Sequence, residues 1–253
     1  MATAHEVKKA IILAAGEGIR LRPLTLENPK VLLPVEGVPL ICHTLTWLRS
    51  HGISQVAINL YHLGQKIRDF LGDGSRFGMK IVYSEEEKPL GTAGGVKRMA
   101  DGFRGTFVVV YGDVLTNLDL GAMVQFHARA GGIATIAVQE VQDATGKGVA
   151  RLGEEGRIQS FVEKPTSSSK SQCLINTGVY LLEPAIMEHI QPGFSDFGVD
   201  VFPRLLAGGV PVYGWRLRPW EYLIDIGTPE AYRQANEDMA RGEVKIAPSG
   251  VPR

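Results

Sequence analysis

Cysteine is nearly missing. Cys42 and Cys173 are the two in 253 residues, far apart and each beside an apolar neighbour, Ile41 and Leu174. That excludes a disulfide-stapled mini-protein and a cysteine-built metal centre, and it points to a reducing compartment. Neither sign of charge is in excess, with 27 Lys and Arg against 27 Asp and Glu. No global field is available to hold nucleic acid or a membrane surface. No apolar run reaches the roughly 18 residues of a membrane span. The opening MATAHEVKKAIILAAGEG has too short an apolar stretch for a secretory core. The expectation is a soluble cytoplasmic chain with no nucleic-acid or membrane partner. His5, His43, His51, His62, His127 and His189 show no metal-ligand spacing and read as surface or core residues. A serine nucleophile elbow, a 20–50-residue repeat and a low-complexity domain are all missing, as is a hexapeptide β-helix array near the end.

What is present is an ordinary hydrophobic fraction of 44% and an excess of glycine, 30 of 253. The average would be about 7%. Short β-branched runs alternate with helical patterns. Lys9 to Leu13, Gln55 to Leu60, Lys80 to Tyr83, Thr106 to Tyr111 and Ile133 to Gln139 read as strands. Pro39 to His51, Gly64 to Leu71, Thr92 to Ala100 and Leu120 to Arg129 read as helices. This order predicts an α/β fold with a Rossmann-like, mixed but mostly parallel sheet flanked by helices. After about Gln142 the pattern changes. Val149 to Leu152, Ile158 to Glu163, Leu174 to Leu182, Val210 to Leu217 and Glu221 to Ile224 read as strands with no long helix between them, a smaller β-rich part. A last helix is punctuated by Thr228 as cap, Pro229 in the first turn and Gly242 at the end. Pro165 to Lys170 (PTSSSK) reads as a flexible loop or lid.

Five blocks carry chemistry. In LAAGEGIRLRPLTLENPKVLLPVEG, from Leu13 to Gly37, a strand delivers a glycine loop followed by Arg20, Arg22 and Lys30. Gly16 and Gly18 let backbone N–H groups face anions, and the cations supply forked and point charge. Together they make a polyphosphate cradle. It is not a Walker loop, since no glycine-lysine-Ser/Thr follows. It is not a dinucleotide fingerprint either, because Leu21 stands at the third glycine. In VVVYGDV, Gly112 and Asp113 end an apolar strand, where open α/β sheets bind ligands. A carboxylate there suits magnesium, or is a turn residue. In YLIDIGT, Asp225 also ends a strand, and the two aspartates would together hold one metal. FVEKP and NTGVY place Glu163, Lys164 and Asn176 at strand ends, for a sugar and its phosphate or as surface turns. In KPLGTAGG a glycine loop opens a helix, to pass over a flat base or merely to cap at Thr92.

These blocks in this order resemble the sugar-1-phosphate nucleotidyltransferases, over Lys9 to about Arg241. Ile19 departs from the threonine common there. SEEEKPLGTAGG, INTGVYLLEP, VFPRLLAGG and LIDIGTPEAY look most like mannose-1-phosphate and heptose-1-phosphate guanylyltransferases. Uridylyl- and thymidylyltransferases share most of the same blocks. The resemblance implies one nucleotidyltransferase domain over 1–253. Its nucleotide-binding half is about 1–142, its sugar-phosphate-binding half about 143–227, and 228–241 is a closing helix. It implies GTP and mannose- or manno-heptose 1-phosphate as substrates, GDP-mannose or GDP-heptose as product, and Mg2+ as cofactor. It leaves room for a homodimer, and no second activity is expected.

The resemblance also implies roles. Leu13, Ala14, Ala15, Gly16, Gly18, Arg20, Lys30, Gly91, Thr92, Gly112 and Asp113 would bind the nucleotide. Arg20, Lys30, Asp113 and Asp225 would be catalytic, with Asp113 and Asp225 on the metal. Gly148, Glu163, Lys164, Asn176 and Thr177 would bind the sugar phosphate. The rivals are a regulatory paralogue that binds nucleotide-sugar without making it, a glycosyltransferase and a dinucleotide-dependent oxidoreductase. A glycosyltransferase would normally carry an acidic pair spaced by one residue, whereas Val114 and Leu115 follow Asp113.

Overall fold

The apolar runs become strands close to where the sequence places them. The computed structural model describes residues 6–163 and 172–246. The fold is mixed α/β, with a mostly parallel central sheet flanked by helices. Contacts group the chain into two units, each assembled from non-consecutive segments.

The first unit takes Lys8–Pro89, Val110–Leu118 and residues 220–246. Here Lys9–Leu13, Gln55–Leu60 and Lys80–Glu85 lie parallel, Lys9 opposite Gln55 and Gln55 opposite Lys80. Ala10, Ile11, Ile12 and Ile58 are wholly buried, as expected of parallel strands covered on both faces. The helix Leu40–Ser50 buries Leu40, Ile41, Leu45 and Leu48. Trp47 is also buried, and its indole N–H donates to the Leu118 carbonyl at 2.8 Å. A short antiparallel pair joins Val114–Thr116 to Leu223–Asp225. The helix Pro229–Ala240 follows, with the Thr228 hydroxyl accepting from Ala231 N at 3.2 Å. Val35, Leu40, Leu115, Ile226 and Ala235 form the small core beneath it.

The second unit takes residues 6–7 and the described parts of Leu90–Val109 and Asp119–Pro219. Cys173–Leu182 runs antiparallel to both Ala134–Val141 and Val149–Leu152, and Ile158–Val162 extends the latter. Val212–Arg216 lies parallel to Ala134–Val141. Phe161, Tyr180, Phe197 and Phe202 pack ring against ring beside these strands. His127 is a core residue, held between the Thr135 hydroxyl at 2.7 Å and Glu183 at 3.1 Å. As expected, among the described residues no long helix lies between Cys173–Leu182 and Val212–Arg216. A wide π-type turn at Phe197–Val201 leads into a short helix, Phe202–Ala207. Both are too short to leave a helical period in the sequence, and Asp196 rather than an apolar stripe starts them. Among the described residues no helix is long and apolar enough to cross a membrane.

Candidate active site

In the first unit the Lys9–Leu13 strand releases the chain into the glycine loop. Ala14 N donates to Asn59 Oδ1 at 2.7 Å, and Asn59 Nδ2 donates to Glu86 Oε1 at 2.8 Å. Asn59 and Glu86 are both buried, on or just beyond the two neighbouring strands. This buried polar chain fixes where the loop leaves the sheet. Neither residue is among the sequence-derived candidates. The available signal is an asparagine inside the apolar run QVAINL.

Gly18 has φ +66°, and a Cβ there would stand 2.9 Å from Thr25 Cγ2. The position therefore demands glycine by conformation and by space. At Gly16 a Cβ would meet no protein atom within 4 Å, so packing alone does not demand glycine there. Arg20 is exposed just beyond. Arg22 lies 3.6 Å from Glu17, with both side chains solvated. Such a pair contributes under about 1 kcal/mol.

Lys30 and Asp113 form an ion pair, with side chains only 14% and 17% exposed. Asp113 is aimed by Gly112, whose N–H donates to the Leu13 carbonyl at 2.9 Å. A Cβ on Gly112 would stand 2.8 Å from that same oxygen. Asp225 pairs with Val114 across the short ladder, and Ile226 N donates to the Asp113 carbonyl at 2.9 Å. The two aspartates are thus brought to neighbouring strand ends. Asp225 Oδ1 accepts from Gly227 N at 2.7 Å. A Cβ on buried Gly227 would stand 2.6 Å from Arg20 Nη2 and 2.7 Å from Asp225 Oδ1. Arg20, Lys30, Asp113 and Asp225, which lie far apart in sequence, therefore gather in one unit. Gly227, which keeps Arg20 and Asp225 close, is not among the sequence-derived candidates. Its signal is the glycine two residues after the aspartate.

The donor set can be tested for a metal. Among the described residues no group of three or more His, Cys, Asp or Glu side chains is placed to hold one. Two carboxylates at adjoining strand ends suit magnesium, which typically binds through one or two carboxylates plus substrate phosphates. The residues fit a cation that arrives with phosphate, not one caged by protein.

In the second unit Gly91 has φ +73°, and a Cβ there would stand 2.5 Å from the Ser195 carbonyl oxygen. That oxygen accepts from Ala93 N at 2.9 Å and Gly94 N at 3.0 Å. Thr92 does not cap its helix, which starts at Gly91. Its hydroxyl donates to Asp196 Oδ2 and accepts from Phe197 N, both at 2.9 Å. Asp196 is a further residue the sequence reading leaves out. Gly148 and Gly198 both face the Glu163 carboxylate: a Cβ at Gly148 would stand 2.5 Å from Glu163 Oε2, and one at Gly198 closer still. Asn176 N donates to the Gly148 carbonyl at 2.8 Å, while its side-chain amide donates to the Tyr180 hydroxyl and accepts from Gly178 N. Gly148, Glu163 and Asn176 are therefore brought together. The Thr177 hydroxyl is buried and donates to the Ala137 carbonyl at 2.8 Å, so it serves the sheet. Lys164 and the PTSSSK stretch lie outside the described residues.

Two carboxylates at adjoining strand ends, one paired with a covered lysine, are an arrangement chemically suited to phosphate and its counter-cation. The chain belongs to the nucleotidyl transferase family, whose model matches residues 9–242. It is 38% identical over 252 residues to a UTP–glucose-1-phosphate uridylyltransferase of Synechocystis, covering 94% of this chain and 64% of that one. It is 37% identical over 253 residues to a mannose-1-phosphate guanylyltransferase of Mycobacterium tuberculosis, covering 98% and 68%. The chain thus spans about two thirds of the length of these curated relatives. Among solved structures, a putative glucose-1-phosphate thymidylyltransferase of Bacillus anthracis in complex with a sucrose superposes with TM-score 0.83 at 28% identity, covering 96% of this chain and 98% of that one. HddC of Yersinia pseudotuberculosis superposes with TM-score 0.78 at 26% identity, covering 92% and 100%.

Proposed function

We propose that the chain transfers a nucleotidyl group from a nucleoside triphosphate to a sugar 1-phosphate. One observation carries the reading: Arg20, Lys30, Asp113 and Asp225 gather at neighbouring strand ends beside a glycine loop. A phosphate oxygen of the sugar 1-phosphate bonds to the α-phosphorus. The bond from that phosphorus to the α–β bridging oxygen breaks, and pyrophosphate leaves with the electron pair. A phosphate dianion is already a competent nucleophile, so catalysis reduces to positioning and charge neutralisation.

Arg20 would hold the β- and γ-phosphates and the departing pyrophosphate. Lys30 would neutralise charge between the α-phosphate and the sugar phosphate. The backbone of Leu13 to Gly18 and of Gly112 would approach the nucleotide, and Gly91 and Thr92 its base and ribose. Glu163, Asn176 and the backbone at Gly148 and Thr177 would line the sugar, with Lys164 on its phosphate. Magnesium held by Asp113 and Asp225 would supply charge neutralisation at the reacting phosphates.

For the finer specificity we favour GTP with mannose- or manno-heptose 1-phosphate, giving GDP-mannose or GDP-heptose. The guanylyltransferase relative and the blocks around Gly91, Asn176 and Asp225 support this pair. Uridylyl or thymidylyl transfer to a glucose- or amino-sugar 1-phosphate is the second reading, its glucose form favoured by the Synechocystis and Bacillus anthracis relatives. Two cysteines far apart in sequence, Cys42 and Cys173, suit work in the reducing cytoplasm. A pyrophosphate-release grid with magnesium tests both readings, crossing GTP, UTP, dTTP, CTP and ATP with mannose-, glucose-, heptose- and amino-sugar 1-phosphates. One strong pair containing GTP is expected. A strong pair with UTP or dTTP replaces the first reading by the second. Silence across the grid from folded protein that still binds nucleotide overturns both readings in favour of a different sugar phosphate or of a binding paralogue.

A further inference from the structure

Asp113, assigned to the metal, is already paired with Lys30, assigned to phosphate. The ligands make opposite demands on the two members. A divalent cation takes the carboxylate and is repelled by the ammonium. A triphosphate takes the cation and is repelled by the carboxylate. Both side chains are more than four-fifths covered, so solvent screens them less than an exposed pair.

A divalent cation arriving alone would take Asp113 and strand Lys30 beside it. A nucleotide arriving alone would take Lys30 and strand Asp113 beside the phosphates. Leaving one member of a covered ion pair without its partner is far more costly than breaking an exposed one. When the two ligands arrive together, every charge keeps a counter-charge.

We propose that the Lys30–Asp113 pair is an interlock that disfavours a divalent cation or a nucleoside triphosphate singly and accepts them as one complex. This rests on the nucleotidyl-transfer reading and deepens it: the Lys30–Asp113 pair itself couples the two ligands, so that neither lodges well without the other. The coupling is reciprocal, because each ligand must raise the affinity for the other by the same factor.

The probes are Mn2+, with bound ion read by electron paramagnetic resonance, and GTP or UTP in EDTA, with binding read by equilibrium dialysis. Removing one member of the pair should improve binding of one ligand. Lys30→Gln should bind Mn2+ without nucleotide at least tenfold tighter than wild type. Asp113→Asn should bind metal-free triphosphate at least tenfold tighter than wild type, and should lose Mn2+. A purely structural pair would weaken both ligands in both variants. Independent ligand roles would give losses and no gains. Either pattern overturns the interlock. Lys30→Met and Asp113→Ala should repeat the same signs with a different truncation, and decide the matter if one of the first variants fails to fold. Wild type that binds no triphosphate with Mn2+ present fails the nucleotidyl-transfer reading itself. Triphosphate binding in wild type without the paired gains fails the interlock alone.

Discussion

Gly227 shows how one missing methyl can matter at the residue scale. It is buried, and a Cβ would stand 2.6 Å from Arg20 Nη2 and 2.7 Å from Asp225 Oδ1. Gly227→Ala must therefore push the guanidinium, the carboxylate or both off position. Displacements of about 1 Å at reacting groups can cost on the order of a hundredfold. We expect kcat/KM to fall by about that factor, with the circular dichroism spectrum unchanged; a variant within about twofold of wild type would show that Arg20 and Asp225 tolerate the shift. The charged members of this cluster were legible in the sequence, because Arg20, Lys30, Asp113 and Asp225 each stand beside a glycine loop or at the end of an apolar run. Gly227 and Asn59 left only faint signals, a glycine two residues after Asp225 and a polar residue inside QVAINL, and Asp196 left none. They act by what they leave room for or by bonds to distant residues, as Asp196 does with Thr92. Thr177 illustrates the converse, since nothing in NTGVY tells which neighbour turns its side chain into the sheet.

At the scale of elements, the longer strands and helices of the first hundred residues were legible to within a residue or two, because their apolar periods are strong, whereas the short helix Leu24–Glu27 and the two-residue strands Pro34–Val35 and Val38–Pro39 were not. Lys80–Glu85 runs two residues past the expected end, since Ser84 and Glu85 still pair with Asn59 and Leu60 although their side chains are polar. The helix Leu40–Ser50 gives a pH prediction. Burial pushes the His43 imidazole below its ordinary range, outweighing its bonds to the Val35 and Val38 backbone, and its Nε2 lies 3.0 Å from the Val35 carbonyl oxygen. The folded state therefore resists a proton that the unfolded chain accepts near pH 6.5. Stability from this site is complete above that value, and it is lost as pH falls through the ordinary histidine range toward the lower folded one. The melting temperature should drop between pH 7.5 and pH 5.5, and His43→Gln should drop less. An equal drop in both proteins would place the acid sensitivity elsewhere.

For the whole molecule, the alternation of strands and helices made the α/β class legible, but not the grouping of segments. Leu223–Asp225 pairs with Val114–Thr116, more than a hundred residues away, and no period announces such a partner. That pairing is what brings Asp225 to Asp113, so half of the carboxylate pair depends on tertiary closure. The same dependence gives a global readout. A ligand that binds only the folded state at a hundred times its Kd adds about 2.7 kcal/mol. For a chain of this size each kcal/mol moves the midpoint by about 2–4 °C, so magnesium with GTP at that level should raise Tm by roughly 5–11 °C. Magnesium alone, or GTP in EDTA, should give a much smaller rise, because each alone splits the covered Lys30–Asp113 pair. In Asp113→Asn the ranking should invert: GTP in EDTA gains, while magnesium adds little to it. Wild-type shifts that simply sum from the two separate ligands would mean that the carboxylates and cations act independently, and that the closure carrying Asp225 to Asp113 serves the fold and not ligand coupling.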